Sequence, residues 1–431
     1  MKLNQYIIHI FILIILFLDV SFIFGQSNLG STIDSTIIKS DTNKLIQTEY
    51  GDIDISGYIQ PQFQIAQSKG AKSYGGGDFS QFSNNRFALR RARVKFDYLY
   101  DKPGSGPIVF LAIQINATEK GVSLRDMYGQ IIEPKWKKFS LYAGLFSVPF
   151  GFETNMSSSV RESPERTRMN QILLPSERDL GIMVSFNSAL TSDNKWGKIK
   201  ASMGLFNGGG LSSTNENDSY KNLITRIQIH SIQIGKSTSV AAGISGYYGN
   251  VQSHNEDYFT YKNNFRKKDK DILNVGRKIQ RVYFGADLQI KRSYSFGASE
   301  LRIEYISGNQ PGSYLSNNIS NTLNLEPLFN RRFAGGYAMF LQNIFNHKHQ
   351  IILKYDIYDP NLDYTASNFA QYSDFELSDS RFTTFGLGYL FNMNKHVKAV
   401  VYYDKIWNEA IDSNLKDLKD DLLTFRIQFS F

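Results

Sequence analysis

The chain of 431 residues contains no cysteine. That excludes a disulfide framework, a thiolate metal site and a cysteine nucleophile, and also a lipid anchor attached through cysteine. Proline is sparse at ten residues, and only three tryptophans occur. After the N-terminus no apolar run reaches the ~20 residues that a spanning helix needs. A G-x-S-x-G nucleophile motif is missing. A lone Gly235-Lys236-Ser237 has His230 where a phosphate-binding loop needs its first glycine, so it reads as a turn. The histidines at 230, 254, 347, 349 and 396 are scattered, and His347-x-His349 has no evident third ligand. No cofactor, catalytic site or metal site is expected.

What is present begins with a basic start and an apolar stretch, "YIIHIFILIILFLDVSFIFG". Residues 1–25 have the make-up of a secretory signal peptide. Residues 26–50 form a polar segment expected to be flexible, and 51–431 form one further unit. Export disfavours nucleic acid as a partner. The formal charge is +8, and removal of Lys2 and Asp19 with the signal leaves it at +8.

Aromatic residues make up 14% of the chain, including 25 Tyr and 32 Phe, and such residues favour strands. Their spacing is more telling. In "RRARVKFDY" (90–98) and the residues after it, Ala92, Val94, Phe96, Tyr98 and Tyr100 fall on one side of a strand. Arg91, Arg93, Lys95 and Asp97 fall on the other. A helix would need apolar residues at i, i+3 and i+4. The same period of two runs through "IDISGYIQPQFQI", "GKIKASMGLF", "QIILKYDIY" and "LLTFRIQFSF".

Sixteen such segments begin near residues 53, 86, 108, 121, 138, 180, 197, 222, 238, 279, 296, 331, 349, 381, 396 and 420. Their connections alternate in length. Tight turns such as "PKWK", "KRSYS" and "NMNK" face one way. Long segments near 149–179, 207–221, 250–278, 308–330, 359–380 and 408–419 face the other; only 117–120 breaks the rule. Short turns on one side and long loops on the other mark an all-β, closed antiparallel transmembrane barrel of the outer-membrane kind. In lipid every strand edge must be paired, so the last strand is expected to zip onto the first. Pro61 cannot donate within a ladder, so its strand is expected to bulge there or to end differently.

Charge on a lipid-facing strand position costs about 2–4 kcal/mol at the bilayer midplane. Parity therefore sends Arg91, Arg93, Lys95, Lys200, Arg226, Arg281, Arg302, Lys354, Lys398 and Arg426 into the lumen, with Asp54, Asp97, Asp287, Glu300, Glu304, Asp356 and Asp404 as the acids. Ten bases against seven acids bias a narrow pore towards anions. The other reading is that bases and acids pair across the wall and leave the lumen neutral. The basic stretch with Lys262, Arg266, Lys267, Lys268 and Lys270 suits either solute anions or lipopolysaccharide phosphates. Trp136 and Trp196 at the short-turn end and Trp407 near a long loop suit interfacial girdles.

Several segments together resemble the phosphate-selective porin O and P family. They are "SGYIQPQF", "RFALRRARVKFDY", "GLFSVPFGFE" (144–153), "SERDLGIMVSF" (176–186), "MGLFNGGG" (203–210) and the terminal "FRIQFSF". The resemblance spans residues 50–431. It implies a sixteen-stranded barrel, a homotrimer, an inward-folded third loop and passive passage of anions such as phosphate through the outer membrane of a Gram-negative cell. Of the family's basic pore residues only "RRAR" transfers. In the loop 149–179, Arg161, Arg166, Arg168 and Arg178 stand against Glu153, Glu162, Glu165, Glu177 and Asp179. The alternatives are a barrel enzyme with a site at the wall or rim, and a surface barrel with an adhesive or structural role and no conducting pore.

Overall fold

A computed structural model describes residues 46–48, 51–101, 104, 107–188, 198–212, 218–262, 265–313, 327–363, 377–409 and 417–431. The signal-peptide reading of 1–25, nearly all of the polar segment 26–50, and Trp196 lie outside the described residues.

Sixteen strands form the wall. They are β1 (Gly51–Ala66), β2 (Asn85–Tyr100), β3 (Ile108–Thr118), β4 (Gly121–Ile132), β5 (Phe139–Ser147), β6 (Arg178–Asn187), β7 (Ile199–Phe206) and β8 (Asn222–Ile234), followed by β9 (Thr238–Gln252), β10 (Lys278–Tyr294), β11 (Gly297–Ser313), β12 (Leu328–Ile344), β13 (His349–Asp359), β14 (Phe382–Asn392), β15 (Val397–Asn408) and β16 (Leu422–Ser430). Each pairs antiparallel with the next. The sheet closes where β16 meets β1, from Leu422 opposite Ala66 to Ser430 opposite Tyr58. Phe431 N–H then donates to Gly57 O at 3.0 Å. Closure leaves no open seam in the wall, as a hydrocarbon surround demands.

Beyond Gly57 towards the chain start, β16 has run out. There Ile46–Thr48 folds back on β1, with Ile46 opposite Ile53. The basic stretch read as a loop contains a hairpin, Asp257–Lys262 with Phe265–Lys270, held to β12 by parallel pairing of Tyr258 with Leu328. Lys268 is exposed and lies 2.8 Å from Asp257.

Alternation sets the two faces. Ile55, Ile59, Val94, Phe96, Leu111, Ile113, Leu387, Phe425, Ile427 and Phe429 stand exposed on the outside, as a lipid belt requires. Trp136 and Trp407 are also exposed. The inner face is not simply charged. Phe146, Phe206, Ile224, Tyr247, Tyr283, Phe333, Tyr337, Tyr358, Ile352 and Tyr402 point inward and are almost fully buried. What covers many of them is the segment between β5 and β6.

The described wall has three breaks in register, one of them between β8 and β9 at Val240/Ala242, and the other two bring an extra arginine inward. Gln60 faces Arg91 while Pro61 faces Leu89, so Arg90 is an extra residue on β2. Gln114 faces Asp126 while Ile115 faces Leu124, so Arg125 is an extra residue on β4. Such a bulge lets two successive residues share a face. Pro61 thus sits where the ladder is already interrupted, in agreement with the bulge expected from its missing donor.

Candidate functional site: the third loop inside the barrel

The loop from 148 to 177 folds into the lumen and divides it. Its first anchor is the "PFG" corner. Gly151 N–H donates to Ser245 Oγ at 3.0 Å, and the Phe152 and Glu153 amides donate to the two carboxylate oxygens of Glu304 at 3.0 Å each. Gly151 has φ +67°, and a Cβ there would lie 2.3 Å from Glu304 Oε1. This is one position where only glycine allows both the backbone and the close approach. Gly151→Ala is expected to destabilise the docked loop by roughly 1–3 kcal/mol. The check is faster hydrogen exchange in 148–177 with unchanged barrel melting.

Glu153 then folds the loop upon itself. Its Oε2 accepts from Thr167 N (2.9 Å), Thr167 Oγ1 (2.7 Å) and Asn170 Nδ2 (2.8 Å). Thr167 caps the short helix α1 (Arg168–Leu173). Met169, Ile172 and Leu173 of that helix are buried in one cluster with Phe206, Ile224, Tyr283, Phe333 and Tyr358 of the wall. Apolar burial thus fills that side of the lumen.

The opposite face of the loop is ionic. Glu165 receives Arg90 Nε at 2.9 Å, Arg91 Nη2 at 2.7 Å and Arg426 Nη2 at 2.7 Å, with Arg161 Nη2 at 4.0 Å. Glu177 is bonded by Arg125, Arg166 and Arg178, the last at 2.6 Å. Arg178 also reaches Asp126 at 3.0 Å. Burial pushes both glutamates up, but the guanidiniums outweigh it. Glu165 is held well below the usual carboxylate range, and Glu177 is held down at about 2. A carboxyl lowered from 4.5 to about 2 contributes stability that is fully present above about pH 4.5. That stability, roughly 3 kcal/mol, is lost as pH falls towards about 2. The part of the loop's protease resistance that is lost in a Glu177→Gln variant should therefore be constant from pH 7 to about 5 and fall below about 4.5.

The sequence-chosen bases all lie on the inner side, but in different states. Arg93 donates to Ser158 Oγ at 2.9 Å and lies near Arg91, Arg125 and Arg178. Arg302 is clamped by Glu162 at 2.7 Å and Glu300 at 2.6 Å. Arg226 is locked to Asp287 across the wall at 2.7 Å and donates at 2.9 Å to Ser245 Oγ, the oxygen that also receives Gly151 N–H of the loop. Arg281 donates to Tyr247 Oη at 3.1 Å. Lys354 lies 3.6 Å from Glu153 and donates to Glu165 O. Lys398 donates to Ser159 O and Arg161 O at 2.6 and 3.2 Å. Lys95 pairs with Asp97 at 2.7 Å, and Lys200 is half-buried towards the short-turn end. In the loop, Arg166 donates to Glu153 O at 2.8 Å. Arg168 lies 3.6 Å from Asp420 and 3.6 Å above the Phe382 ring.

Arg90 and Arg125 were missed by strict alternation, which turns Arg90 to the lipid and says nothing of Arg125. The signal for the first was Pro61. The R-D-L-G and L-F-N-G-G-G pieces also prove to be one device: Asp179 accepts from Leu180 N at 2.8 Å and from Gly208 N at 2.5 Å, fixing the turn after β7.

No protein-family model matches the sequence, and no curated protein matches it. Solved structures do match. The barrel is similar to the outer-membrane channel DcaP of Acinetobacter baumannii, with TM-score 0.55 and 12% identity over 89% of this chain and 99% of that one. OmpF of Salmonella typhi gives 0.52 and 9% over 90% and 100%. OmpT, an outer membrane protein of Vibrio cholerae solved in a trimer form, gives 0.52 and 9% over 89% and 100%. At such identities the likeness is one of fold. The chain is a closed antiparallel barrel of sixteen strands with the architecture that outer-membrane porins share.

Proposed function

We propose that the protein is a porin of the Gram-negative outer membrane that passes small hydrophilic solutes and favours anions, phosphate among them. The observation that carries this reading is the ionic face of the third loop. Among the described residues, Arg90, Arg91, Arg93, Arg125, Arg161, Arg166, Arg178 and Arg426 gather around Asp126, Glu165 and Glu177, with Glu153 behind Arg161 and Arg166. The surplus is positive. Part of it is open to water: side-chain exposure is 30% for Arg90, 13% for Arg125 and 14% for Arg178. On the far side the wall is packed with aromatics. The aqueous route therefore runs along β1, β2 and β4, past guanidinium groups in a low-dielectric flank, where a small surplus is amplified.

Phosphate follows from the family resemblance and from the fork geometry of arginine, which matches phosphate oxygens. A homotrimer is the assembly expected from the same resemblance and from the trimer form of the Vibrio cholerae protein. Lipopolysaccharide phosphates are a partner for the exposed Lys268 and Lys270 of the external hairpin. An enzymatic reading finds little support at the loop. A general base needs a pKa near the working pH, and Glu165 and Glu177 are held far below it.

The test is a planar bilayer holding the purified protein under a salt gradient. An anion-directed reversal potential is expected, larger in chloride than with a bulky organic anion. A cation-directed potential overturns the selectivity, and absent conductance with intact insertion overturns the porin reading in favour of a structural barrel.

A further inference from the structure

The loop between β1 and β2 (67–84) is a second segment that turns inward from the rim. Its base is closed by its own pairing: Phe79 N–H donates to Ala71 O at 2.9 Å, and both residues are buried with Ala66 and Leu422. Its tip, 73–78, crosses a gap. On one side the tip is tied to the wall. Gln64 Nε2 of β1 donates to Gly75 O at 2.8 Å, and Arg86 of β2 donates to Gly77 O and Asp78 O at 2.8 and 2.9 Å. On the other side the Tyr74 ring lies 4.6 Å from the guanidinium of Arg168, the first residue of α1 in the third loop. The wall and the third loop are the two flanks of the aqueous route, so the tip spans it at the long-loop end. Gly76 lies over the bases: a Cβ there would stand 3.4 Å from Arg86 Nη2 and 3.5 Å from Arg90 Cδ. Gly76 and Gly77 have φ +134° and +100°, a backbone that favours glycine and keeps this edge thin. Gln62 and Gln64 of β1 are buried beside the tip, while the Arg90 side chain stays 30% exposed.

We infer that this tip is a roof over the long-loop end of the aqueous route, and that its glycine edge sets the size of solute admitted to Arg90. The inference rests on the porin reading above and supplies what the arginines do not. Charge acts over a distance and sorts solutes by sign; it does not sort them by bulk. The roof sorts by excluded volume. It covers the inner face of β1, so a solute descends past Gly76 or not at all. The tip hangs from three backbone carbonyls and one ring on a cation. The pairing of Ala71 with Phe79 closes the loop without it. Loss of the tip therefore leaves β1, β2 and their arginines in place.

The test deletes Tyr74–Gly77 and measures single-channel current with neutral polyethylene glycols of graded size, added to one side of the bilayer at a time. Polymers that the wild type excludes from the long-loop side should enter the deletion variant and lower its current. The size limit from the short-turn side should not move, and neither should the reversal potential, because Arg90 and Arg125 remain. Tyr74→Ala, which leaves the loop at full length, should shift the long-loop limit in the same direction. Tyr74→Phe, which keeps the ring over Arg168, should restore it. An unchanged long-loop limit in both the deletion and Tyr74→Ala overturns the roof alone. A shift of equal size from both sides also overturns it, since the third loop would then have moved. Absence of current in wild type and variants alike overturns the porin reading and the roof with it.

Discussion

Glu165→Gln will free the third loop from one side of the lumen. This carboxylate is the meeting point of Arg90, Arg91 and Arg426 from the wall, with Arg161 of the loop close by. Removing one partner of a buried ionic group leaves uncompensated charge, at a cost of about 3–5 kcal/mol. Here several guanidiniums lose the same counter-ion. The barrel itself should persist, because its ladder closes independently through β16 and β1. The expected readings are rapid proteolysis within 157–168, fast hydrogen exchange there, and a larger, noisier conductance. A loop as protected as in the wild type would show that the apolar anchor of α1 suffices alone.

Replacing Arg90 and Arg125 together by alanine should cost most of the anion preference. Both sit at bulges that turn an extra base inward, and both are partly reached by water. A unit charge about 6 Å from a passing ion, at an effective dielectric constant of about 60, acts with about 0.9 kcal/mol, or roughly fivefold per residue. Arg331→Ala is the internal control, since that inward guanidinium is paired with Asp379 at 2.8 Å and, among the described residues, makes no hydrogen bond to the third loop. Equal shifts in reversal potential for the double variant and the control would place the aqueous route elsewhere.

The wall was legible because a strand with lipid on one side and water on the other writes its period into the chain. The segment expected from 108 begins at Ile108, that from 349 at His349, and the one expected from 331 begins at Leu328. The inner surface was less legible, for two reasons. Alternation assumes an unbroken ladder, and one inserted residue in β2 or β4 reverses the parity of the rest of that strand. Alternation also says nothing of what an inward side chain meets. Phe206 and Tyr283 have the right parity for a wet lumen, yet both are buried with Met169 and Ile172. The loop's mixture of arginines and glutamates looked self-cancelling by tally. In space Glu165 and Glu177 draw bases from different strands, and the remainder is a local surplus that no count along the chain displays.

The clustering on Glu165 also bears on how such a cylinder is assembled. Arg426 belongs to the final strand and Arg91 to the second, and Gln60 meets Gln428 at 2.8 Å directly over the joint where the sheet is completed. One acidic side chain therefore rivets the last-made junction from within. Mechanical peeling of the C-terminal strand must break the Arg426–Glu165 contact as well as the ladder to β1.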